Sequence, residues 1–121
     1  HFLILKFLIM LNFNDVIKVI ENHVDDYVNQ TTFLPQSIVS SPEKLQHVKD
    51  ISASIMQTKW KLGYNSGSFV QAVVANNLKE SFNWADSVCK EALHFFVVMV
   101  CNLDMPIEVW HYLKENNLAK S

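Results

Sequence analysis

No arginine occurs in this chain of 121 residues; all ten cationic side chains are lysine. The guanidinium fork that grips phosphate and guanine bidentately is therefore missing. A formal charge of −2 with interspersed signs leaves no field to draw in a polyanion or an acidic membrane surface. No nucleic-acid partner and no membrane partner is expected, and binding to duplex DNA, with its characteristic salt dependence, ranks last among the functions considered. Two glycines and three prolines are too few breakers for an all-β fold, which needs turn residues between every pair of strands. The two cysteines, Cys89 and Cys101, cannot make a disulfide framework and have no Cys or His neighbour at ligand spacing. They read as buried, reduced thiols of a cytosolic protein, with an intermolecular disulfide as the alternative. There is no G-x-S-x-G elbow, no phosphate-cradling glycine loop and no H-E-x-x-H. Neither an enzyme nor a metal or other cofactor is expected.

Half the residues are apolar and 18% are charged, enough apolar side chain to offset the entropy of ordering the chain. The composition predicts one all-α domain over residues 1–121, a compact bundle of about five to six helices, several of them short and capped. The opening HFLILKFLIML is shorter than the roughly 20 apolar residues of a membrane span and lacks both the basic start and the cleavage site of a secretory signal. Residues 1–10 read as an apolar extension, with Met10 as a candidate start. Phe2, Leu3, Leu5, Phe7 and Leu8 would pack on the core or on a second copy of the chain, which makes a homo-oligomer an option.

Along the chain, residues 15–29 place Val16, Ile17, Ile20, Val24, Tyr27 and Val28 on one stripe, with Asn14 as cap. QTTFLPQSIVS reads as an extended connection with a strand-like piece at Ser37–Val39. SSPEK restarts a helix running to Leu62, stopped by Gly63; its stripe is Leu45, Val48, Ile51, Ile55 and Leu62, with Trp60 at the edge. Ser68 with Gln71, and Asn77 with Glu80, have the spacing of capping boxes, and Asp86 can cap a third start. Helices at 69–76, 78–85 and 87–103 are expected, with Phe69, Ala72 and Val73 facing Leu78, Phe82 and Ala85. FFVVMVC, residues 95–101, is apolar on every side and predicts a wholly buried helix, with a strand as runner-up. Asp104 caps the last helix, Pro106 lies in its first turn, and Ile107, Trp110 and Leu113 form its stripe.

None of the five histidines stands at a recognised metal spacing. His23 with Asp25 and Asp26 comes nearest, but a helix does not put all three on one face, and a solvated edge explains them. His94 and His111 read as packing residues. Trp60, Tyr64, Trp84 and Trp110 are aromatics of the kind that anchor protein interfaces, balanced against rim packing over a small core. Ser66, Gly67 and Ser68, flanked by Lys59 and Lys61, form a nest-like stretch that could hold a phosphate, although a helix start alone accounts for it.

The stretch from Gly67 to Asp86 carries Gly67, Ser68, Phe69, Ala72, Val73, Val74, Asn76, Asn77, Leu78, Ser81, Phe82, Ala85 and Asp86 in a pattern that resembles small uncharacterised proteins of tailed phages and prophages. The likeness continues through Leu93, Val97 and Pro106, so it covers the second half of the chain. Trp84 departs from it, standing where such proteins have a basic residue, and DMPIEVWHYL replaces their usual Cys-Trp-Gly-Ser-Pro close. The resemblance implies a viral origin and carries over no catalytic residue. Eleven asparagines beside all-lysine basic residues also fit an A+T-rich coding sequence. The expected function is that of a small accessory protein in the cytoplasm of a bacterial host, binding a host or viral protein and blocking a defence system. The alternative is an oligomer that sequesters a small signalling nucleotide.

Overall fold

Several helix ends among the described residues are set by local hydrogen bonds. The computed structural model describes residues 12–30 and 33–116; among these there are eight helices and no strand. The apolar extension at residues 1–10, with Met10 and its expected packing, lies outside the described residues. The first helix, α1 (Phe13–Gln30), opens on a capping box. The Asp15 amide donates to Asn12 Oδ1 and the Asn12 amide to the Asp15 carboxylate, both at 3.0 Å. The cap is thus Asn12 and not Asn14, which falls inside the helix. Val16, Ile20, Val24 and Val28 are buried, and Ile17 and Tyr27 pack beside them, as the periodicity predicts.

The connection expected to be extended contains a one-turn helix, α2 (Gln36–Val39). Pro35 holds φ −62° and ψ 151°, and its carbonyl accepts from the amides of both Ile38 and Val39. Ile38 is fully buried, so tertiary burial overrides the β preference of the Ile-Val pair. The Ser41 hydroxyl then accepts from the Lys44 amide, and α3 (Pro42–Lys59) starts with its proline in the first turn.

Helix α3 ends before Leu62. The Leu62 amide donates to the Gln57 carbonyl and the Lys61 amide to the Thr58 carbonyl, with Lys61 at φ 58°. This is a Schellman closure in which a lysine, and not Gly63, takes the first left-handed position; Gly63 follows at φ 80°. Folding back in this way buries Leu62. The next turn repeats the device. Helix α4 (Ser68–Val74) ends with Asn76 at φ 58°, the Asn76 amide donating to Val73 and the Asn77 amide to Ala72. Asn77 then caps α5 (Leu78–Trp84), its side-chain oxygen accepting from the Glu80 amide at 3.1 Å.

Two of the expected capping boxes are corrected. Gly67 occupies the N-cap of α4, which makes Ser68 the first helical residue, and the Gln71 side chain donates to the Ser66 carbonyl. In the second, the Asn77 amide is already bonded to Ala72, so the Glu80 carboxylate turns away and accepts from Trp84 Nε1 at 3.1 Å. Asp86 does cap, accepting from the Cys89 amide at 2.8 Å.

The single helix expected at 87–103 is two, α6 (Ser87–Glu91) and α7 (Leu93–Asn102), divided at the fully buried Ala92. Nor is α7 buried on every side. Phe95, Phe96 and Met99 face inward, while Val97 and Cys101 are exposed. Helix α8 (Ile107–Glu115) starts after Pro106, which sits at the N-cap with φ −59° and ψ 146°, and Asp104 makes no cap. Its buried stripe is Val109 and Leu113; Ile107 and Trp110, expected to be buried, lie on the outside. The extra one-turn helix and the break at Ala92 raise the count from six to eight, within the all-α class.

Helix α3 packs against α1, α2, α4, α6 and α7 and is the axis of the fold, while α8 closes over α1 and α4 over α7. Its core side carries Val48, Ser52, Ile55 and Met56. Ser52 is tolerated there because its hydroxyl donates to the Val48 carbonyl at 2.7 Å, and among the described residues no buried side-chain polar atom lacks a partner. Tyr27, Phe95, Phe96 and Phe69 form a chain of rings joining α1, α7 and α4, each step 5.7 Å between centroids. Among the described residues no single helix is long and apolar enough to cross a membrane; α7 and α8 reach that composition only as a pair bent by 69°.

Urea unfolding should show Phe95→Ala losing about 3–5 kcal/mol, as for other large-to-small changes at filled core sites. Asn77→Ala should lose about 1 kcal/mol, the usual effect of a missing cap, and Lys61→Gly should gain up to about 1 kcal/mol by relieving the left-handed lysine.

Candidate functional site

Helix α5 inverts the usual order of burial. Its one buried residue is Ser81, whose hydroxyl donates back to the Asn77 carbonyl at 2.7 Å, while Leu78 is 69% exposed, Phe82 54% and Trp84 60%. Leu78 and Phe82 lie one turn apart on one flank of the buried Ser81–Ala85 stripe, and Trp84 lies on the other flank. The expected apolar contact from Leu78 and Phe82 into the α4 face is therefore not made; of that trio only Ala85 is buried. The reason is the tight Asn76–Asn77 turn, which fixes the rotation of α5 so that its small residues meet α4. Lys90 Nζ sits 4.9 Å from the centre of the Phe82 ring, and the Glu80 carboxylate holds the Trp84 indole.

The four expected interface aromatics are dispersed. Trp60 is 5% exposed, beside the His23 ring at 6.0 Å, and cannot contact a partner. Folding back of the chain after α3 draws it inward from the edge position expected of it. Tyr64 is exposed in the α3–α4 loop, where its phenol oxygen accepts from the Ser54 hydroxyl at 3.1 Å. Trp110 is half-exposed on α8 between His111 and Lys114, in a shallow cleft of about 440 Å³.

The residues considered for a nucleotide are mostly committed elsewhere. Lys59 Nζ donates to the Val100 carbonyl at 2.9 Å, neutralising the last turn of α7. Ser66 is buried and Gly67 is the α4 cap; Ser68 and Lys61 are exposed. A second cleft, about 390 Å³, lies elsewhere, between α1 and α3. Glu21, Asp25 and Asp50 line it, with Lys49 paired to Asp25 at 3.1 Å, which suits a phosphate poorly.

A cluster that the sequence reading passed over stands where α3 meets α6. His47 Nε2 lies 2.8 Å from Asp86 Oδ2 and 3.9 Å from Cys89 Sγ. Beside it Glu91 accepts from the Ser37 hydroxyl at 2.7 Å and pairs with Lys44 at 3.6 Å, so a polar seam ties α2, α3 and α6 together. Desolvation pushes the buried Cys89 thiol up, and its hydrogen bond to the Asp86 carboxylate and that group's charge push it further, to about 12. For Asp86, partial desolvation acts upward, but the Cys89 amide, His47 and the Cys89 thiol all bond its carboxylate and hold it below the usual range. A Cys-His-Asp nucleophile needs one imidazole nitrogen toward sulfur and the other toward the carboxylate. Here Nε2 faces both, and the thiol stays protonated, so the arrangement does not activate Cys89.

Among the described residues this is the one group of three His, Cys, Asp or Glu side chains whose ligand atoms converge, all within 4.8 Å. Asp86 and Cys89, three apart at a helix start, were the local signal. His47, 39 residues before Asp86, has none. Cys101 is exposed and not buried as expected, because α7 turns that side outward. Comparison with known protein families, with curated proteins and with solved structures finds no match to this chain.

Thiol titration of the native protein with a disulfide reagent should find Cys101 reacting at once and Cys89 only on unfolding. Two fast thiols in the native protein would contradict the burial and protonation of Cys89.

Proposed function

We propose that this protein acts by binding another protein, with α5 as the contact, and not by catalysis. The observation that carries the proposal is the inversion on α5. A large exposed apolar side chain is unremarkable alone, but three on a seven-residue helix that buries only a serine are best explained by a partner that covers them. Leu78, Phe82 and Trp84 take over the role first assigned to Trp60, Tyr64, Trp84 and Trp110. Trp84 is the residue common to both sets, with Trp110 a separate exposed point on α8.

The resemblance of residues 67–86 to tailed-phage proteins supports an accessory role in the cytoplasm of a bacterial host, and obstruction of a defence system is the function such a protein would serve. The partner would present an apolar surface with acidic groups near Lys79 and Lys90. A second copy of the chain is the competing occupant, distinguished by mass in solution.

Affinity capture from host cells should recover one specific protein with the wild-type chain. Phe82→Ala and Trp84→Ala should each weaken that complex by about 2 kcal/mol, the scale of a hot-spot aromatic, with the melting temperature nearly unchanged. Failure to recover any partner, or equal recovery by both variants, would count against α5.

A further inference from the structure

We propose that His47 Nε2, an Asp86 carboxylate oxygen and Cys89 Sγ form a three-ligand site for a zinc-class divalent transition metal ion. Three observations meet here. The donor atoms come from two helices packed against each other and already lie within 4.8 Å of one another. Metal-to-ligand distances of about 2.0 Å to nitrogen or oxygen and about 2.3 Å to sulfur, at tetrahedral angles, separate the ligand atoms by roughly 3.3–3.6 Å. The 2.8 Å between His47 and Asp86 must open by about half an ångström, and the 3.9 Å between His47 and Cys89 must close by less. The third pair, Asp86 to Cys89, lies within 4.8 Å and closes by at most about 1.3 Å to reach the same spacing.

The donor set also selects the ion. A thiolate, an imidazole and a carboxylate favour zinc, cobalt or their neighbours over calcium or magnesium, which take oxygen. One thiolate and one carboxylate balance a dipositive charge, the thiol proton passing to solvent as the metal binds. His47 and Asp86 are 39% and 55% exposed at their side chains, so the ion can enter from that side, and a water completes the coordination shell. Cys89, buried beneath them, closes the site from the core.

The cap that Asp86 makes on the Cys89 amide brings the sulfur to the carboxylate, and His47, from a different helix, adds a third donor whose single nitrogen Nε2 addresses both partners, which is the convergence a metal needs and a catalytic triad lacks. The site is independent of α5 docking, since none of its ligands is among Leu78, Phe82 and Trp84.

The test is cobalt(II) titration of the untagged full chain carrying Cys101→Ser, which leaves Cys89 as the sole thiol. One equivalent should bind with a thiolate-to-cobalt charge-transfer band that zinc displaces, and zinc should raise the melting temperature. Cys89→Ser and His47→Gln, each checked for helicity, should abolish the band or weaken zinc binding at least tenfold. No band at one equivalent, or one that survives His47→Gln in the folded protein, would overturn the proposal.

Discussion

Phe95 and Phe96 are consecutive residues, both fully buried, and the rest of the fold is arranged around that demand. Neighbours on a helix project about 100° apart, so one packed surface cannot cover both. Tyr27 from α1 meets Phe95 edge-on and Phe69 from α4 meets Phe96 in the same way, which brings two sequence-distant helices onto α7. Helix α3 then fills the space between them with Val48, Ile55 and Met56, and Ser52 permits close approach without leaving its hydroxyl unpaired. With α7 fixed in this way and α6 tied to α3 through His47 and Asp86, the chain must change direction at Ala92.

The second constraint is backbone punctuation. Lys61 and Asn76 each take a left-handed conformation that closes a helix with a pair of amide-to-carbonyl bonds, and Asn77 starts the next helix at once. Short helices joined so tightly cannot rotate freely about their axes. That is why α5 presents Ser81 and Ala85 inward while Leu78, Phe82 and Trp84 remain outside: the turn, and not the hydrophobicity of the side chains, decides which face is buried. Exposed aromatic surface is costly in water, and its retention under such rigid backbone control is the feature on which the proposed docking role rests.

Much of the fold was legible in the sequence because it rests on local signals. The stripe from Val16 to Val28, the helix start within Ser40-Ser41-Pro42, and the caps at Asn77 and Asp86 all follow from such signals. What was not legible depends on distant contacts. Ile38 becomes helical because it is buried against the core; Trp60 is drawn inward by the chain reversal at Lys61; Ile107 and Trp110 turn outward because α8 lies across α1 on its Val109–Leu113 side. The His47 cluster is the plainest case. Spacing rules find ligands that are near in sequence, whereas this set is assembled by the packing of α3 on α6.

The account's central claim is that the fold holds the Trp84 indole and its neighbours on α5 in water while burying Trp60. Fluorine NMR of the chain labelled with 5-fluorotryptophan tests it directly, because each of the three tryptophans gives its own resonance, assigned by replacement with phenylalanine. The resonances of Trp84 and Trp110 should shift on exchange from light to heavy water and that of Trp60 should not. A Trp84 resonance insensitive to solvent would mean that α5 is packed the other way round, and the proposed docking surface would not exist.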